Sequence, residues 1–147
     1  MGFSVSGATV ILFLGIFISF GVAYTAANNG FEQVNDAYED TSDDELTRQN
    51  TAIDVADASV ANEDGQLYLN VSVNNSGSTA LSVNDTDILI DGIYTGHTEM
   101  ATLEVDGDGG TDLWLPGETL QANVSVESRP TRVKVVTGPG VAATEVI

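Results

Sequence analysis

No charged residue occurs in this sequence before Glu32. Within that opening stretch, Val5–Ala27 reads VSGATVILFLGIFISFGVAYTAA, twenty-three residues without Asp, Glu, Lys or Arg. As a helix it would reach roughly 34 Å, enough to cross a hydrocarbon core of about 30 Å. Two structures suit such a segment: a membrane helix that stays, or a secretory signal that is removed. Thr25-Ala26-Ala27 is an acceptable small-residue exit for a signal. Met1–Ser6 nevertheless lacks the Lys or Arg of a positive n-region, and the apolar run exceeds the roughly 7–15 residues of a signal core. The expectation is an uncut single-pass anchor over residues 1–28. With no basic flank to set orientation, the short N-terminus and the bulk behind it favour N-terminus inside. Gly15, Ser19 and Ala23 recur four residues apart, in line with Gly7 and Ala27. Small residues at that spacing form a packing face for another helix, a second copy of this chain included.

Behind the anchor the chain is strongly acidic. It carries 22 Asp and Glu against 4 Lys and Arg, a formal net charge of −18. Phosphate recognition needs clusters of basic side chains, which Arg48, Arg129, Arg132 and Lys134 do not supply, so nucleic acid is excluded as a partner. Disorder is an unsuitable reading of this acidity, because 42% of residues are hydrophobic and those after Ile53 alternate as strands do. The pattern is that of a folded domain with an acidic skin, as in proteins adapted to molar salt, where the Debye length falls to about 3 Å. With no cysteine, disulfides, thiolate metal sites and a Cys nucleophile are all absent.

Asn28-Asn29-Gly30 marks the expected exit from the membrane, and residues 29–50 read as a helical stalk or linker. Phe31, Val34 and Tyr38 keep a helical spacing there, and Ser42 with Glu45 has the form of a capping box that would start a fresh short helix. From Ile53 the period becomes two. Leu67, Leu69, Val71 and Val73 alternate, as do Leu120, Ala122, Val124 and Val126. Asp64-Gly65, Asp91-Gly92 and Asp106-Gly107 are turn signals, and Asn75-Ser76-Gly77 and Gly138-Pro139-Gly140 break further runs. About seven or eight short strands at 8–12-residue spacing predict an all-β, immunoglobulin-like antiparallel β-sandwich over residues 51–147. Trp114, the sole tryptophan, is expected in its core.

Catalytic and cofactor patterns are missing. The sequence has no Gly-x-Ser-x-Gly, no phosphate-binding loop and no His-Glu-x-x-His. His97, the single histidine, sits in a polar turn and reads as an exposed loop residue. Asp106-Gly107-Asp108-Gly109-Gly110 has the look of half a calcium loop without the later Glu, and reads as a solvated hairpin tip. The expectation is therefore a protein without catalytic, cofactor or metal sites. Four positions, Asn70, Asn74, Asn84 and Asn123, fit the Asn-x-Ser/Thr acceptor pattern and lean toward an exported domain. Asn74 and Asn84, at turns, are the better acceptors.

Met1-Gly2-Phe3-Ser4-Val5-Ser6-Gly7-Ala8 leading into a membrane helix, followed by Asn29-Gly30-Phe31, Arg48-Gln49-Asn50-Thr51, Asn75-Ser76-Gly77-Ser78 and Ile90-Asp91-Gly92, resembles the archaellum protein F family (FlaF/ArlF) of haloarchaea. The likeness covers most of the chain and lies in the order and spacing of these pieces. The resemblance implies a stator component of the archaeal flagellar motor. Its sandwich would lie outside the cytoplasmic membrane, contact the S-layer protein and work beside archaellum protein G. The family supplies no catalytic residues. Archaellins and minor pilins share the helix-then-sandwich architecture, but normally place a basic residue and Gly before the apolar run; Met1-Gly2-Phe3 has only the Gly. A filament subunit is thus the alternative, and a solute-binding or enzymatic exodomain a more distant one.

Overall fold

The computed structural model describes the backbone of residues 2–147 and the side chains from Val5 onward. The expected uncut start at Met1 lies outside them. One helix, α1 (Gly2–Asn50), is followed by ten strands. They are β1 (Ile53–Glu63), β2 (Gln66–Asn75), β3 (Leu81–Ser82), β4 (Asp87–Ile90), β5 (Ile93–Thr95), β6 (Met100–Val105), β7 (Leu113–Trp114), β8 (Thr119–Val126), β9 (Arg132–Val136) and β10 (Ala142–Val146). The chain divides into two compact units after Asp43, so the end of α1 belongs with the strands.

The first unit is helix alone. It is long and apolar enough to cross a membrane. Its large side chains are turned outward all round, Phe17 being 70% and Phe20 74% exposed. The helix continues through Asn28-Asn29-Gly30 and through Ser42, where the sequence suggested an exit and a new start. Asn and Gly disfavour helix by only about 0.7–1 kcal/mol each. A break would instead strand up to four N–H and four C=O groups on either side. Thr41 stays inside the helical pattern, its Oγ1 donating to Ala37 O at 2.7 Å.

The second unit is the expected immunoglobulin-like sandwich. One sheet has the order β1-β2-β8-β6 and the other β10-β9-β4-β5, all neighbours antiparallel. This is the A-B-E-D and G-F-C arrangement of such sandwiches, extended by one strand beside C. β3 and β7 form a small separate pair, Leu81 opposite Trp114. Leu69, Val71 and Val73 of β2 and Leu120 and Ala122 of β8 meet Ile88 of β4 and Val133 and Val135 of β9 in one core. Trp114 is fully buried in it, and its Nε1 donates to Glu118 O at 2.9 Å. Asp64-Gly65, Asp91-Gly92 and Asp106-Gly107 all take positive φ at both residues, the conformation that two-residue hairpin turns require. Bulges interrupt the outer strands β1 (between Val55 and Asp57) and β6 (between Met100 and Thr102), twisting both edges of that sheet.

Candidate functional site

The most constrained place in the second unit is the join between the end of α1 and the sandwich. A helix leaves its last carbonyls without partners. Here the loop after β2 supplies them. Ser78 N donates to Asn50 O at 2.8 Å, and Ser76 N and Gly77 N both donate to Ala52 O, at 3.0 and 2.9 Å. Thr51, buried, donates from Oγ1 to Thr47 O at 2.7 Å and from its amide to Arg48 O at 3.2 Å. The β1–β2 ladder, which opens at Ile53 opposite Asn75, is thereby carried past its own end onto the helix. Gly77 permits the approach: a Cβ there would stand 2.5 Å from Ala52 N and 2.6 Å from Asn50 O.

Asn75 holds the loop that makes this clamp. It is fully buried, and its Nδ2 donates to Thr79 O at 2.9 Å and to Trp114 O at 3.1 Å while Oδ1 accepts from Gly77 N at 3.2 Å. Its backbone bonds Glu118 O and Gly117 N. The sequence did carry a signal for it. Asn75 occupies the inward phase of the Leu69-Val71-Val73 alternation, where a polar residue must be fully hydrogen-bonded. An open cleft of about 960 Å³ lies beside the clamp, with Asp44, Arg48, Asp85, Asp87 and Pro139 among its walls.

The acceptor-pattern asparagines differ in surroundings. Asn70 and Asn123 face each other across β2 and β8, Asn123 Nδ2 donating to Asn70 Oδ1 at 2.6 Å. Asn74 Oδ1 accepts from Thr119 Oγ1 at 2.9 Å. All three are half-buried, whereas Asn84 is exposed in the β3–β4 turn with its backbone N–H held by Asp112 Oδ1 at 2.8 Å. Gly15, Ser19 and Ala23 are exposed on α1, and the Ser19 hydroxyl is turned back onto Gly15 O at 2.8 Å.

His97 is not the free loop residue its setting suggested. It lies half-buried in a 3-10 turn, with Nε2 2.8 Å from Thr86 O. A carbonyl only accepts, so Nε2 carries a proton and pins the β5–β6 connection to the start of β4. Asp106 and Asp108 use their carboxylates on backbone amides, Asp106 Oδ1 accepting from Thr119 N at 3.2 Å and Asp108 Oδ1 from Gly110 N at 2.8 Å. Asp91 Oδ1 accepts from Thr131 Oγ1 at 2.7 Å, Thr131 N at 3.0 Å and Arg132 N at 3.1 Å. The Thr131 hydroxyl above all, then these amides and the Arg132 charge, hold its pKa below the ordinary aspartate value. Among the described residues, no three His, Cys, Asp or Glu side chains converge as a metal site, and no buried side-chain polar atom lacks a partner.

No protein-family model matches this sequence, and no curated protein does. Among solved structures it is similar to a chain in the crystal structure of the human cytomegalovirus protein US2 bound to the MHC class I molecule HLA-A2/tax. Identity there is 18%, over 65% of this chain and 96% of that one, at a TM-score of 0.35. It is also similar to the ycdA protein of Bacillus subtilis, with 15% identity over 66% of this chain and 36% of that one, at a TM-score of 0.34.

Proposed function

We propose that this chain is a non-catalytic, membrane-anchored stator component of the archaellum motor, as its resemblance to the archaellum protein F family implies. In this reading α1 holds the cytoplasmic membrane with the N-terminus inside. The sandwich stands outside and grips the S-layer protein, beside archaellum protein G and with a homodimer as one available assembly. The acidic skin then belongs to an extracytoplasmic surface in molar salt.

The observation that supports this reading best is the clamp between the end of α1 and the loop at Asn75–Thr79. A rotary motor needs a fixed point, and a bilayer is fluid. A component that resists torque has to pass load from a lattice-bound domain to its anchor without a slack tether. Backbone hydrogen bonds to Asn50 O and Ala52 O tie the last turn of α1 to the sandwich, in keeping with that requirement. A filament subunit remains the second reading, since it shares the helix and sandwich; processing near Gly2 would favour it.

The test is genetic. A strain lacking the chain is expected to make archaellin yet form no swimming halo, with motility restored by the intact gene. Normal swimming of the deletion strain would end the stator reading.

A further inference from the structure

The two outer faces of the sandwich differ in chemistry. On the β1-β2-β8-β6 sheet the outward residues of the central strands are amides and hydroxyls: Asn70, Ser72 and Asn74 beside Thr119, Gln121 and Asn123. They bond each other, through Asn123–Asn70 at 2.6 Å and Thr119–Asn74 at 2.9 Å. Along these strands that face is polar throughout, with Ser72 and Gln121 left without a side-chain hydrogen bond among the described residues.

The outer face of the other sheet is not. Register places Tyr94 of β5, Leu89 of β4, Lys134 of β9 and Thr144 of β10 in one row across it. Four strands at about 4.8 Å spacing make this row roughly 14 Å wide. The adjoining outward positions of β9 are Arg132 and Val136, paired with Val146 and Ala142. Tyr94 is 58% and Val146 77% exposed. Among the described residues Lys134 has no ion pair or side-chain hydrogen bond. In a chain with 22 acidic and 4 basic residues, two of those four bases stand on this face, Arg132 beside the exposed Asp91 of the β4–β5 turn; Asp87 of β4 and Glu145 of β10 are the exposed carboxylates on the strands themselves.

We infer that the outer face of the β10-β9-β4-β5 sheet is the protein-docking surface, and that its partner is an acidic protein surface with apolar groups at its centre. An acidic partner meets like charge elsewhere on this molecule; here it meets the unpaired Lys134, with Tyr94 and Leu89 beside it to bury. A second copy fits poorly, since a two-fold contact through the same face would bring Lys134 toward its symmetry mate. In molar salt the pairing acts only at contact range, so apolar burial supplies affinity and the bases choose the partner.

The inference rests on the stator reading for its probe, the isolated S-layer protein. The full chain in detergent at molar salt is immobilised and the probe titrated over it. Lys134→Glu and Tyr94→Ser should each weaken binding about tenfold or more, the scale for losing a central contact. Gln121→Glu, which adds one negative charge to the opposite face, should stay within about twofold of the parent. Unchanged melting of the three variants confirms that folding is not the cause. Equal losses from Gln121→Glu and Lys134→Glu, or none from Lys134→Glu and Tyr94→Ser, would overturn the face while leaving the stator reading standing. If the parent chain itself fails to bind, the stator reading and the face fall together. Sedimentation showing a dimer that Tyr94→Ser dissolves would assign the face to self-association and overturn the inference as well.

Discussion

The helix and the sandwich use apolar residues in opposite ways. Phe17 and Phe20 of α1 stand more than two-thirds exposed, while Leu69, Trp114, Val133 and Val135 of the sandwich are fully covered. Apolarity all round the helix suits a solvent that is itself apolar; alternation along the strands suits a domain that brings its own interior into water. Each region tells which medium it was built for, and the change from apolar to charged begins within α1 itself, at Glu32.

That contrast can be broken from either side. Trp114→Ala should cost the sandwich about 3–5 kcal/mol through lost packing and a cavity, while the helix still partitions into membranes. Thermal denaturation together with carbonate extraction checks both halves of the statement, and loss of extraction resistance would show that the regions are not separable. Ile16→Arg should do the reverse. It should cost membrane insertion about 2.5–3.5 kcal/mol, read by glycosylation-reporter insertion assays, with the melting of the sandwich unchanged.

The smallest expected effect concerns Asp91, which sharpens the comparison because the helix holds no counterpart among residues 5–27. Its folded pKa is depressed, so its stabilisation is complete above the unfolded value of about 4 and is lost as pH falls through the lower folded value. Asp91→Asn keeps an oxygen for Thr131 but removes the charge. Its stability should therefore fall less steeply below about pH 4 than that of the parent, as equilibrium denaturation at a series of acid pH values would show.

Much of this architecture was legible beforehand because it depends on local signals. The charge-free run declared the helix, period-two alternation the strands, and three Asp-Gly pairs the hairpin turns that bear their positive φ values. Trp114 went where a lone large aromatic in a strand run belongs. The helix boundaries were harder. Asn28-Asn29-Gly30 and the Ser42–Glu45 pattern are local preferences worth about a kilocalorie, too weak to break a continuous hydrogen-bond ladder. The clamp was illegible for a different reason: Gly77 and Asn50 are remote in sequence, and only the β1–β2 register brings them together. The row Tyr94–Leu89–Lys134–Thr144 likewise comes from strands whose pairing is long-range, so no window of sequence contains it. His97 was misplaced because a polar turn says nothing about which carbonyl a ring nitrogen will find.

The clamp also bears on how the chain resists proteolysis. Exposed domains are commonly released from their anchors by proteases, which need several consecutive residues extended and free to enter the active-site groove. Between the end of α1 at Asn50 and the start of β1 at Ile53 only Thr51 and Ala52 intervene. Thr51 is buried, and the carbonyl of Ala52 is held by two amides. A protease arriving at this join finds no substrate unless the sandwich first unfolds, so cleavage there is governed by the stability of the whole domain and not by the local sequence.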